Sequence, residues 1–393
     1  MSILAGDQTN EASALPDKAD RLIAFEDMGP RELEILRLIL RGDSVVDWRR
    51  LCFDDRAEVD RFLKLHQIDY SDPNDRAVVR RLLKEAVDYL RSTFHYRLAD
   101  AVAEPYEIQD LFLYASGLHP RHPGRYQKIA CIVLKVMHVI HHMEGRELLF
   151  RTPIAPSVLA RMVDERVSMC AAQMKRCNFP LVEFSGSVKT QHSMITKLLA
   201  KRDTVAAQVF DKVRYRIVTR ERADVLPVLE YLTRTLFPFN LLVPSQTENT
   251  LIDLEQLIEQ TPSLRRHVDG LYLPLSHGRS QRRFRSHNPF SGSNYRVLNF
   301  VVDMPLRIDA YLPSDDPRPG RPRIVFSWVE FQIMDLATAI ENERGENSHE
   351  LYKARQRAKV LRRLSRGLVV PRGRARPKDG SNGADGSDED SML

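Results

Sequence analysis

The hydrophobic pattern of this chain changes character at Pro180, and that change restricts the fold more than any other feature of the sequence. Before it, apolar residues recur at helical spacing. In MGPRELEILRLILRG, residues Leu33, Ile35, Leu36, Leu38, Ile39 and Leu40 gather on one broad face, and Gly42 is placed to stop the helix. RAEVDRFLKLHQI, DRAVVRRLLKEAVDYLRSTFHYRL, RYQKIACIVLKVMHVIHHM and PSVLARMVDERVSMCAAQMKR repeat that behaviour, separated by turn-rich pieces such as DYSDPND and GLHPRHPG. After it, β-branched and aromatic runs alternate with helical ones. LVEFSGS, VFDKVRYRIVT, NLLVP, YRVLNFVVDMPLRIDAYL and RIVFSWVEFQIM read as strands; KTQHSMITKLLAKRD, ADVLPVLEYLTRTLF and a segment from about Asp335 read as helices. The pattern predicts an α+β chain: a helical region over 27–178, then a mixed β-sheet flanked by helices over 179–366. Residues 1–26, small, polar and acidic, and 367–393, Pro/Gly-rich and basic before turning acidic, are expected to be disordered.

Composition narrows the function little. The 393 residues carry a formal charge of +6, which suits phosphate-bearing partners without proving nucleic-acid binding. The first residues lack a basic start and an apolar core, and no later run is long enough to span a bilayer, so the sequence reads as a cytoplasmic protein with no membrane partner. Cys52, Cys131, Cys170 and Cys177 stand singly, without C-x-x-C spacing, and are expected to be reduced thiols. His138 and His142 in HVIHH fall at i, i+4, a spacing able to bind metal, but no acidic third ligand is evident.

Charge in the strands is more informative. Arg214 and Arg216 interrupt VFDKVRYRIVT, and Asp211 opens it. In FSWVEFQIM both faces are largely apolar, with Phe326, Trp328, Glu330 and Gln332 on one and Val325, Val329, Phe331 and Ile333 on the other, so Glu330 needs a partner. Two carboxylates on neighbouring strands, Asp211 and Glu330, would suit Mg²⁺; a salt bridge such as Glu330 to Arg216 would serve structure instead. Asp211 and Arg216 are an odd number apart, so strict alternation sends them to opposite faces unless Asp211 lies at the strand's lip or a bulge intervenes. In GSVKTQHSMITK, Lys189, Ser193 and Lys197 follow at i, i+4 and i+8 on a helix expected to begin at a glycine, an arrangement suited to a phosphate and equally to a solvated lysine face.

The order of these pieces resembles the RelA/SpoT-type (p)ppGpp synthetase domain. The resemblance is carried by Gly186-Ser187-Val188-Lys189 with Ser193 and Lys197, by Asp211 with Arg216, by Asn294-Tyr295-Arg296-Val297-Leu298-Asn299, by Glu330-Phe331-Gln332, and by Glu343 and Gly345 with His349 and Tyr352-Lys353. It implies a nucleotidyltransferase-like mixed sheet and transfer of pyrophosphate from ATP to the ribose 3′-hydroxyl of GDP or GTP. Asp211 would hold Mg²⁺, and Glu330 would assist the metal or take the hydroxyl proton. Lys189, Ser193, Lys197, Arg216, Arg296 and Gln332 would bind substrate, and Tyr295 would stack on the acceptor base. The sequence departs from the family pattern at Ser187, Val297, Asn299 and Met334, where arginine, serine, histidine and arginine are usual. An arginine-rich stretch, HGRSQRRFRSHNPFSGSN, keeps two other readings open: pyrophosphorylation of an RNA 3′ end such as that of tRNA, or nucleotide or RNA binding without catalysis.

Overall fold

The computed structural model describes residues 21–43, 46–200, 213–267, 294–312, 320–344 and 349–365. The helices are α1 (Pro30–Arg41), α2 (Arg56–Leu65), α3 (Pro73–Phe94), α4 (Asp100–Ala103), α5 (Ile108–Ala115), α6 (Gln127–Arg151), α7 (Pro156–Arg176), α8 (Gln191–Ala200), α9 (Val225–Thr235), α10 (Leu254–Gln260), α11 (Pro262–Arg265), α12 (Leu336–Asn342) and α13 (His349–Leu364). The strands are β1 (Leu181–Val188), β2 (Val213–Thr219), β3 (Glu248–Asn249), β4 (Leu298–Arg307) and β5 (Ile324–Asp335). The fold is α+β with a mixed sheet, as the change of period indicates. Gly42 ends α1 with φ of 65°, a left-handed conformation that glycine adopts without steric cost. Of the disorder expected over 1–26 and 367–393, residues 1–20 and 367–393 lie outside the described residues, while 21–26 are described and lead into a 3₁₀ turn over Phe25–Asp27.

The sheet runs in the order β1-β2-β5-β4-β3, with β2 and β5 parallel and the other pairs antiparallel. One face is largely apolar. Tyr215, Phe331 and Phe300 stack across three strands, with ring centroids 5.8 and 5.7 Å apart, and Phe237 closes on Phe331. A run expected as a strand, NLLVP, is instead a 3₁₀ turn over Phe239–Leu241 followed by one bridge from Leu242 to Val302. Two prolines bracket that run, leaving little backbone to form a ladder.

The helical segments and the sheet share one apolar cluster reaching from Met28 to Ala339. α6 joins them most closely. Its buried residues Met137, His141 and Gly145 follow at helical spacing, and Gly145 lies on Phe326 of β5. A Cβ added at Gly145 would come 2.4 Å from Phe326 Cε2 and 2.9 Å from the Ile324 carbonyl oxygen. Alanine would gain about 1 kcal/mol of helix propensity, but the clash with backbone dominates. Gly145→Ala is therefore expected to lower stability by about 1–3 kcal/mol in urea unfolding.

Histidines fill the space under α6. His66 Nε2 and His138 Nδ1 lie 3.0 and 3.1 Å from the two ends of the Asn240 amide, and His141 packs edge-on against Phe326. The acidic partner missing from the HVIHH reading is Asp303 of β4, which binds both His142 and Arg146. No group of three or more metal-ligating side chains is placed to hold an ion among the described residues. Burial, aided by neighbouring histidines, pushes His66 well below its usual value, His138 to about 3 and His141 to about 4. A histidine kept neutral in the fold is protonated only in the unfolded chain between its unfolded value, about 6.5, and its folded one. Stability should thus be full above that value and fall as the pH drops toward 4. Unfolding midpoints measured across that range test it, and a flat profile would contradict it.

Candidate functional site

The second face of the sheet is polar at one end. Register explains which residues meet there. Arg214 of β2 stands opposite Glu330 of β5, which stands opposite Val301 of β4; in the next row Arg216 stands opposite Gln332, which stands opposite Asn299. Further along β5 the same face carries Trp328 and Phe326, which α6 covers through Arg146, 4.4 Å over the Trp328 ring, and through His142 against Phe326. Beyond Gln332, Met334 and the α12 residue Asn342 close the other side, 3.7 Å apart. The two polar rows form the floor between these walls.

Glu330 sits at the centre, its side chain 6% exposed. Arg214 Nε donates to its Oε2 at 2.7 Å, and Asn299 Nδ2 donates to its Oε1 at 2.9 Å. Burial works to raise the Glu330 pKa, but Arg214 and then Lys189 and Lys197 outweigh it and hold the carboxyl below its usual range. The partner weighed from sequence was Arg216; it is Arg214, because an offset of one residue along β2 turns a side chain to the other face and an offset of two moves it to the next row. Arg216 lies beside Gln332, with Nη2 3.1 Å from Glu343 at the end of α12.

The glycine expected to start a phosphate-binding helix does something else. Gly186 lies inside β1, opposite Tyr215, and a Cβ there would sit 2.7 Å from the Tyr215 ring, whose hydroxyl donates to Asp164 of α7 at 2.9 Å. Close packing, rather than anion binding, requires glycine at this position. α8 begins only at Gln191, so Lys189 belongs to the connection and not to the helix face; Lys189 and Lys197 nonetheless both act electrostatically on Glu330. Ser193 is exposed, and its backbone N–H is 3.4 Å from the Thr190 hydroxyl. Among the described residues its side chain does not join the cluster.

Tyr295 is part-buried at the edge of the floor. Burial raises its pKa, and Arg214, Glu248, Arg216 and Glu330 all lie near enough to act on it. Arg296 is fixed through its backbone, the N–H donating to Asn342 Oδ1 at 3.1 Å and the carbonyl accepting from Asn342 Nδ2 at 2.6 Å. Tyr352 of α13 adds to the field on Arg214. Asp211, Gly345 and the arginine-rich stretch before Asn294 lie outside the described residues, as does the side chain of His349.

With both oxygens of Glu330 bonded and lysines beside it, the described residues do not by themselves offer Mg²⁺ a set of ligands. Two polar atoms on the floor are buried without a hydrogen-bond partner, Asn299 Oδ1 and Arg216 Nε, the latter 3.6 Å from Glu183. Sequence reasoning missed Arg214 and Asn299 as site residues. The parity shared by Arg214 and Arg216 was a signal; the register that aims them at Glu330 and Gln332 was not in the sequence.

No protein-family model matches the chain, and no curated protein matches it. Among solved structures it is similar to the small alarmone synthetase 2 from Bacillus subtilis, over 53% of this chain and 94% of that one, with 16% identity and a TM-score of 0.28. The small alarmone synthetase 1 from the same organism, bound to its product pppGpp, is similar over 54% and 96%, with 15% identity and a TM-score of 0.28. A GTP pyrophosphokinase family protein from Streptococcus pneumoniae is similar over 52% and 83%, with 16% identity and a TM-score of 0.26. At this identity and TM-score the likeness assigns no activity to this chain.

Proposed function

We propose that this chain transfers the β,γ-pyrophosphoryl group of ATP to the 3′-hydroxyl of a guanosine nucleotide, GDP or GTP: the 3′-oxygen bonds to the β-phosphorus as the bond from that phosphorus to the α,β-bridging oxygen breaks, and AMP leaves. The reading is supported above all by Lys189, Lys197 and Arg214 acting together on Glu330, with Arg216 in the adjacent row and Tyr295 at the edge. A polyphosphate group in transfer carries its negative charge on non-bridging oxygens, and cations already fixed around that volume lower the barrier without reorganising. Tyr295 presents an aromatic ring beside them for the acceptor base. Glu330 accepts the hydroxyl proton after Arg214 has exchanged the carboxylate for a phosphate oxygen. A guanidinium bonds either anion in the same planar fashion, and Lys189, Lys197 and Asn299 remain to hold Glu330 charged. A requirement for Mg²⁺ belongs to this reading through Asp211, and no step is assigned to the ion.

Purified protein incubated with γ-³²P-ATP, Mg²⁺ and GDP, GTP or bulk tRNA, followed by thin-layer chromatography, tests the reading directly. Label carried onto a guanosine nucleotide supports it; label carried onto tRNA moves the acceptor to an RNA end. A second reading, nucleotide binding without catalysis, is favoured by one observation: both oxygens of Glu330 are already bonded within the protein. Saturable nucleotide binding with no transfer to any acceptor would select it.

A further inference from the structure

The two rows of the polar floor differ in how far they are satisfied. In the first, Arg214 and Glu330 bond each other. The second row is less satisfied: Asn299 Oδ1 is buried without a hydrogen-bond partner, Arg216 Nε is buried with only the ion-pair contact to Glu183 at 3.6 Å, and the part-exposed Gln332 between them makes no side-chain hydrogen bond among the described residues. Buried polar atoms in folded proteins are nearly always paired, so the Asn299 oxygen in particular calls for an explanation. The orientation of the Asn299 amide is chemically determined, because the ionised Glu330 only accepts; the nitrogen must face Glu330, leaving the oxygen to face a donor.

We propose that Asn299, with Gln332 and Arg216, forms a specificity row that reads the ribose hydroxyls of the acceptor nucleoside. The row presents an acceptor at Asn299, both kinds of group at the Gln332 amide and a donor at Arg216. A vicinal diol matches that sequence, since each hydroxyl donates one hydrogen bond and accepts others. Residues opposite each other on paired strands stand about 5 Å apart, so neighbouring hydroxyls can meet neighbouring side chains. The same amide that receives the hydroxyl donates to Glu330 at 2.9 Å, which brings the diol next to that carboxylate. Asparagine at 299, where the resembling family has histidine, is on this view a reader of the acceptor and not a lost function.

This inference rests on the proposed function, because it takes the acceptor to be a nucleoside diphosphate. Isothermal titration of the full chain with GDP, 2′-deoxy-GDP and 3′-deoxy-GDP tests it on the unaltered protein, and the same titrations are then made with Asn299→Leu. A hydrogen bond lost to a buried acceptor should weaken binding of at least one deoxy form about tenfold. In Asn299→Leu, GDP should bind as weakly as that deoxy form, and the discrimination should vanish. GDP bound tightly with both deoxy forms bound equally well would overturn the specificity row and leave the proposed function standing. Discrimination that persists in a folded Asn299→Leu would also overturn it. No binding of GDP at all would remove the proposed function, and the row with it.

Discussion

Arg214→Ala should unfold at clearly lower urea than the parent chain, with a loss of about 3 kcal/mol at neutral pH. The reason lies in what is left behind. Glu330 is 6% exposed and keeps its charge chiefly because Arg214 stands 2.7 Å away. Without the guanidinium, the carboxylate retains the Asn299 bond and the field of Lys189 and Lys197, which is why the loss is placed at the lower end of what unpaired buried charges cost. The pH dependence identifies the cause. In the parent chain Glu330 is held below its unfolded value, so its contribution is full above about pH 4.3 and is lost as the pH falls through the folded value. In the variant, burial acts with less opposition, and a raised value reverses the sign: stability declines as the pH rises and the carboxyl must ionise. The gap between the two proteins should therefore widen from pH 4 to pH 7. A gap of constant size would point to lost packing of the Arg214 stem.

Glu330→Gln is the second large effect, and it concerns rate. Glutamine keeps the size of the side chain and can still accept from Arg214, so the fold should survive. A positioned general base contributes about 10²–10⁴-fold, so transfer to the guanosine nucleotide should fall by at least about 10²-fold. Affinity for ATP should hold or improve, because one negative charge leaves the site that we propose receives phosphates. Single-turnover rates measured beside ATP titrations separate the two quantities. A variant that retains transfer within a few-fold of the parent would show that Glu330 acts as the structural partner of Arg214 and that the proton goes elsewhere.

Much of the scaffold was legible because hydrophobic period is a local property. The helical spacing of Leu33 to Leu40 reflects one face meeting a core, the largely apolar run FSWVEFQIM reflects a strand covered on both faces, and both appear where the sequence places them. NLLVP misled because five residues flanked by proline look alike as a strand or as a tight turn, and the tertiary path alone selected the turn. Gly186 misled for a different reason. A glycine before a helix suggests an anion cradle, whereas the ring that makes glycine necessary, Tyr215, comes 29 positions later and faces it only through strand pairing.

By itself the sequence determined the class of fold, the ordered motifs that resemble a pyrophosphate-transferring family, and the need of Glu330 for a partner. Tertiary structure alone decided that the partner is Arg214, that Asn299 takes the other carboxylate oxygen, and that Asp303 holds the histidine helix to the sheet. The physical reason is range. Periodicity records which way a side chain points, a matter of its own backbone, while the identity of the group it meets depends on the register of strands whose pairing is set by the burial of residues far away in the chain.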